Sequence, residues 1–374
     1  MIVTAIAIFT NYDKVIQAQL LDTFSSYSTF LNHFEGNKAV KNQLAILKGK
    51  NDTPDMLNKP LDLSSLGRAP EFSGISKWLN TDKPFSTQGL RGKVVLVDFW
   101  TYTCINCIRT LPHVTSWYEK YKDKGFVVVG VHTPEFEFEK KTENVEQAIK
   151  QFGIHYPVAQ DNKYETWNAF ANHYWPAEYL IDAKGVIRRT HFGEGEYEET
   201  EEAIKILLKE IGSTVDATKI DMPDQTPKMH ISPETYLGST RMAYLFPNGS
   251  AENGIQNFTL GNNIPDDTFS FGGIWDITNE QAIAKRDAVL EFNFYAQRVF
   301  LVLRPGSAGK GSIKVYLDGQ LVDVSNSGDD VRDGMLTVDT DRLYNLVKLS
   351  SNNRHVLKLE FQTSGIEAYA FTFG

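Results

Sequence analysis

The only two cysteines of the chain stand three positions apart, as Cys104-Ile105-Asn106-Cys107. Two thiols at that spacing cycle between dithiol and disulfide, so the pair reads as a redox centre. At the start of a helix they face free N–H groups and the positive end of the helix dipole, which favour a thiolate. Cys104 is then the thiol that attacks a substrate disulfide. Cys107, one turn further in, resolves the mixed disulfide at high effective concentration. Thr103 is the expected N-cap. Two blander readings compete, a pair of inert core cysteines and half of a zinc site. A closed zinc site takes four ligands, and no second cysteine pair exists. His113, the nearest histidine, is expected on the helix surface.

Asp98 lies six residues before Cys104, inside the apolar run Val94-Val-Leu-Val-Asp-Phe-Trp100. A buried carboxylate is costly. Asp98 is either a satisfied polar group near a strand end or a desolvated carboxyl of raised pKa that relays the Cys107 proton. The second reading is preferred. Trp175-Pro176 opens another strand, where a proline is unusual because it cannot donate to a ladder. Taken alone it is a trans turn. A cis bond there lays the turn beside the cysteines and leaves the Trp175 backbone to pair with substrate.

Positioning these groups takes a covered sheet. Residues 94–100 read as a strand, 104–121 as a helix containing Pro112, and 126–131 as a second strand. Helices follow over 143–152 and 164–172. A hairpin pairs 178–182 with 186–191 around Ala183-Lys184-Gly185, and 198–211 forms a closing helix. Strands alternating with helices give an α/β layer architecture. Six glutamates between Glu194 and Glu202 suit the first turn of that closing helix. Beyond residue 232 the pattern changes to short alternating runs (288–294, 298–303, 312–317, 356–361) separated by turns such as Asp318-Gly319. That is an antiparallel, jelly-roll-like β-sandwich. The expected organisation is a helical segment and linker over 1–59, the α/β domain over 60–213, a linker over 214–231 and the sandwich over 232–374. Trp275, Phe269, Phe271 and Tyr295 are read as core aromatics of the sandwich, with a sugar-stacking platform as the alternative.

The formal net charge of −9, with no basic stripe, argues against a nucleic-acid partner. Residues 1–9 are apolar but far short of the roughly 20 needed to span a bilayer. They lack the basic start and cleavage site of a signal peptide. Either they pack on their own domain or they are the tail end of a membrane helix. Nothing in the sequence asks for a cofactor.

Val97-Asp-Phe-Trp100, Cys104-x-x-Cys107 and Pro112 together resemble thioredoxin-fold proteins. Gly92-Lys-Val-Val-Leu-Val97 with Ile181-Asp182-x-x-Gly185 is similar to the membrane-associated TlpA/ResA type. More narrowly, Thr101-Tyr-Thr-Cys-Ile-Asn-Cys-Ile-Arg-Thr-Leu-Pro112 and His173-Tyr-Trp-Pro-Ala-Glu178 resemble the soluble C-terminal part of the DipZ family. Ser232-Pro-Glu-Thr-Tyr-Leu-Gly238 resembles the opening of that family's carbohydrate-binding-module-like sandwich. The resemblance covers residues 60–374. It implies Cys104 and Cys107 as the redox pair, Asp98 as the buried acid, Pro176 as a cis-proline, and Trp100 and Trp175 beside the substrate. It further implies an extracytoplasmic, membrane-associated setting of the kind used in cytochrome c biogenesis. A CcdA/DsbD-like membrane electron donor belongs to that setting. The present sequence lacks the polytopic domain that such families place first, and Ile105-Asn106 replaces the thioredoxin Gly-Pro.

The resulting expectation is an extracytoplasmic oxidoreductase acting on disulfide-bearing proteins. Reduction is preferred, because no cation between the cysteines over-stabilises the thiolate. A peroxidase using Thr101 and Cys104 is the second enzyme reading, although Val97 stands where such sites carry proline. The third is a glycan- or protein-binding module, residing in the C-terminal domain, with the redox domain as accessory.

Overall fold

The computed structural model describes Leu61, residues 63–307 and residues 309–374. The helical segment expected over 1–59 lies outside the described residues. Val94–Trp100 has no alternating polar face, the pattern of a strand covered on both sides. It forms β2, buried at all seven positions. Six strands make the sheet: β1 (Lys77–Leu79), β2, β3 (Phe126–His132), β4 (Val158–Gln160), β5 (Ala177–Ile181) and β6 (Ile187–Phe192). Their order is β1-β4-β3-β2-β5-β6, with β2, β3 and β4 parallel and the other pairings antiparallel. Helices α1 (Ile105–Tyr121), α2 (Thr142–Gln151), α3 (Glu165–Ala169) and α4 (Tyr197–Glu210) cover it. A thioredoxin-like α/β domain is the result. β1 and β4 are three residues each, too short for any period to show in the sequence.

The first residues of the α/β domain, 63–69, and the stretch 214–231 read as a linker are both bound to this domain. Leu66 and Ala69 donate backbone N–H bonds to Ile187 and Gly185 at 2.9 and 3.0 Å, and Leu63 and Ala69 are buried. Further on, the Ile220 N–H reaches the Glu201 carboxylate at 3.0 Å. The second is the linker expected between the two domains. Both are nonetheless anchored on the domain by backbone hydrogen bonds.

The remainder of the described residues forms one large antiparallel sheet of eleven strands, β7 (Thr235–Tyr236), β8 (Gly254–Phe258), β9 (Phe269–Ile277), β10 (Ala282–Ala284), β11 (Val289–Arg304), β12 (Gly311–Leu317), β13 (Gln320–Leu321), β14 (Val331–Arg332), β15 (Met335–Val338), β16 (Arg342–Phe361) and β17 (Glu367–Phe373). Runs expected as separate strands, 288–294 and 298–303, fuse into the sixteen-residue β11. Register shifts after Ala296 and Val299 bend it, as β-bulges do. Its first residues pair with β9 and its last with β17, so the sheet turns over onto itself around one core. Phe269, Phe271, Trp275, Phe292 and Phe294 fill that core. Trp275 is fully buried, and its indole N–H donates to the Gly272 carbonyl. No sugar platform is available from Phe269, Phe271 and Trp275. Tyr295 is half-buried on the opposite face of β11, beneath the Arg354 guanidinium.

The two sheets meet at the segment that follows β3. Phe136 and Phe138 pack on Tyr369 with ring centroids 5.0 and 4.8 Å apart. Glu135 accepts from Arg241 at 2.7 Å and from the Tyr236 hydroxyl at 2.8 Å. Lys141 pairs with Asp341 at 3.0 Å.

Candidate active site

β2 ends in a buried turn, Thr101–Tyr102–Thr103, that delivers Cys104 to the start of α1. Cys104 itself is the N-cap: its Sγ accepts the Cys107 N–H at 3.2 Å. Thr103, the expected cap, instead donates its hydroxyl to Glu139 at 2.6 Å. Glu139 is fully buried, and its other oxygen accepts the backbone N–H groups of Glu135 and Phe136. Burial pushes its carboxyl up to about 7. Nothing in the sequence pointed to this residue. It lies thirty-six positions from Thr103, in a charged stretch that reads as surface.

Both cysteines are free thiols. Cys104 is half-exposed and Cys107 is 1% exposed. Burial, then the Cys104 sulfur, then Asp98 raise the Cys107 thiol well above its ordinary range. Of the two sulfurs, Cys104 is the more accessible. Asn106 points its amide oxygen at Arg109, 2.7 Å away, and Glu194 holds Arg109 at 2.6 and 2.8 Å. A cation thus reaches the residues between the cysteines, neutralised by a carboxylate. Glu194 precedes α4 and serves this pair rather than the helix start. His113 is buried, stacked on Tyr197 with centroids 3.6 Å apart. The helix surface expected for it is covered by the α4 segment.

Asp98 is 1% exposed and neither carboxylate oxygen has a partner among the described residues. Desolvation raises it to about 7. It stands opposite Gly130 on β3 and Glu178 on β5. A side chain at Gly130 has no room, because a Cβ there meets the Tyr156 ring and the Trp100 indole at 2.9 and 3.1 Å. Trp100, expected beside the substrate, is fully buried with its ring 5.1 Å from His132. As the last residue of the central strand it faces the core, where its side chain is closed off from solvent. Burial holds His132 neutral, down to about 3. Thr101, which the peroxidase reading needs at the sulfur, is fully buried with its hydroxyl 3.4 Å from His132.

The Trp175–Pro176 bond is cis. Register puts this turn at the same end of the sheet as the cysteines, since Ala177 pairs with Phe99 just before β2 ends. The Trp175 indole donates to the Thr133 carbonyl at 3.0 Å, and Thr133 in turn donates its N–H to the Trp100 carbonyl. A cleft of about 730 Å³ runs along α1 from Tyr102 and Ile105, with Asp341 and Arg342 of the second sheet on its far wall. No three His, Cys, Asp or Glu side chains gather to hold a metal among the described residues.

Residues 67–207 match the Redoxin family model, and residues 232–374 match a family described as the thioredoxin-like C-terminal domain. DipZ proteins from Mycobacterium bovis and Mycobacterium tuberculosis are 38% identical over 318 residues, 83% of this chain and 44% of theirs. The chain therefore spans less than half the length of these relatives. The thiol-disulfide oxidoreductase YkuV of Bacillus subtilis is 29% identical over 38% of this chain and 94% of its own. The thiol-disulfide oxidoreductase ResA of Bacillus thuringiensis is 28% identical over 34% of this chain and 69% of its own.

Proposed function

From the premise that this chain carries a thioredoxin-like Redoxin domain homologous to DipZ and to thiol-disulfide oxidoreductases, we propose that it reduces protein disulfides outside the cytoplasm. One observation carries the reading: an accessible Cys104 caps α1 above a buried Cys107. The Cys104 sulfur attacks a substrate disulfide, forms a mixed disulfide and releases the first substrate thiolate. Cys107 gives up its proton and attacks the Cys104 sulfur. The Cys104–Cys107 bond forms, the bond to substrate breaks, and two electrons have passed to the substrate. Asp98 serves as the group that receives the Cys107 proton, and Trp175 and Pro176 as the turn against which the substrate strand lies. A membrane donor of the CcdA/DsbD kind would return the electrons. The C-terminal sheet contributes the far wall of the cleft along α1 and serves to orient the partner protein.

The test is trapping in cells with Cys107→Ala. Envelope proteins disulfide-linked to Cys104 are the expected catch, and an empty trap counts against the reading. Direction is checked separately by the reduction potential. A value well above that of the glutathione couple would make the protein an oxidant.

A further inference from the structure

Asp98 and Glu178 are direct cross-strand partners on β2 and β5, 1% and 3% exposed. Residues so placed have Cβ atoms about 5 Å apart on one face of the sheet. Three of the four carboxylate oxygens, both of Asp98 and Oε1 of Glu178, have no partner among the described residues. The fourth, Glu178 Oε2, takes only a long bond of 3.4 Å from the Thr200 hydroxyl. Two ionised carboxylates cannot share such a space, because each lacks donors and repels the other. One carboxyl and one carboxylate can, since the acid donates to the anion and the remaining single charge is spread over both.

We propose that Asp98 and Glu178 hold one proton between them and act together as the acceptor of the Cys107 proton. The proposal rests on the dithiol exchange described above and assigns Glu178, so far without a role, to it. Cys107 and, beyond it, Cys104 face Asp98 from α1, and Tyr156, whose hydroxyl is also unpartnered, faces both carboxyls from before β4. Arg189 faces Glu178 from β6, with Glu196 beyond it and Thr200 on α4. His191 is the β6 partner of Glu178 in register. Arg189 is the one cation in this set; it pairs with Glu196 at 2.8 Å, and its pull on Glu178 does not offset the burial that raises that carboxyl. When Cys107 attacks, its proton passes to the anionic member and the pair becomes neutral. On re-reduction that proton returns to the Cys107 sulfur. Asp98 is pushed up to about 7 and Glu178 to about 8, both first by burial and Glu178 also by Asp98. A coupled pair titrates in two steps that belong to neither residue alone.

The experiment uses the full chain, with Asp and Glu carboxyl carbons isotopically labelled, and compares wild type with Glu178→Gln, Asp98→Asn and Glu178→Asp. Infrared titration from about pH 5 to about pH 9 follows the protonated carboxyls. Stopped-flow follows release of thiol from a preformed Cys104 mixed disulfide. The expected result is a two-step carboxyl titration in wild type and in Glu178→Asp. Glu178→Gln should show a single step, a displaced pH profile for thiol release, and a release rate at neutral pH about tenfold or more below wild type. Attack by Cys104 on a small disulfide should stay unchanged. An unaltered release profile in Glu178→Gln, or an Asp98 step that does not move, overturns the proposal. A wild type that reduces no disulfide at all overturns the exchange reading instead, while the infrared titration still reports whether the carboxyls share a proton.

Discussion

The two sheets bury different kinds of polar group, chiefly ionisable ones in the first and uncharged ones in the second. Beneath the cysteines, Asp98, Trp100, His132, Tyr156 and Glu178 are all buried with polar atoms left unpartnered among the described residues. The second sheet packs an aromatic and aliphatic core whose tryptophan finds an acceptor, and its own unpartnered buried atoms are uncharged oxygens, those of Asn293, Asn345 and Thr372. An apolar core costs nothing in desolvation, whereas a buried carboxyl without donors costs stability that only a functional demand retains. The first sheet is therefore read as a site and the second as a scaffold that steadies it through Phe136, Phe138 and Glu135. That contrast can be broken at either end.

The largest expected effect is at the cysteines. Cys104→Ala should abolish disulfide reduction while leaving the unfolding midpoint in denaturant near wild type, as measured by turnover and urea melts. Next comes the aromatic core. Trp275→Ala should cost about 3–5 kcal/mol of stability without changing the rate at which Cys104 is alkylated in folded protein. Altered alkylation would show that the second sheet does more than support.

Asp98→Asn should act in the opposite sense. The unfolded Asp98 gives up its proton at the ordinary carboxylate value, while the folded one keeps it up to about 7. Folding therefore binds a proton across that window, and stability falls as pH rises through it. The variant should gain about 1–3 kcal/mol near pH 8 and almost nothing near pH 4, read from urea melts at both. His132 is held neutral by burial and works the other way in acid, but it is common to both proteins and cancels. A variant less stable than wild type near pH 8 would mean that donors other than Glu178 hold the Asp98 carboxylate. Smallest is the turn before Cys104. Thr103→Val removes one hydrogen bond to the buried Glu139 and should cost about 1–3 kcal/mol, with a modest change in Cys104 alkylation rate.

The parts of this site that were legible in the sequence are those carried by local chemistry. The cysteine spacing, an aspartate inside an apolar strand and a proline at a strand start each break a local pattern, and all three lie at one end of the sheet. What stayed hidden depends on residues far apart in the chain. Thr103 looked like a cap because threonine caps helices, yet Glu139 claims its hydroxyl. Trp100 and His113 are amphipathic side chains whose exposure is decided by packing, against His132 and Tyr197. Glu178 did leave a signal, a carboxylate in the apolar strand Ala177–Ile181, but its meaning appears only once Asp98 lies opposite. Likewise, the bulged β11 reads as two short strands because a bulge interrupts the alternation at Ala296.

The central claim is that Cys104 and Cys107 transfer two electrons to a protein disulfide. Reduced protein mixed with an equimolar disulfide-bonded protein, then acid-quenched and weighed by mass spectrometry, tests it most directly. The account predicts that the chain loses two hydrogens to a Cys104–Cys107 disulfide while the partner gains two thiols. A chain that stays reduced beside an unchanged partner would contradict it.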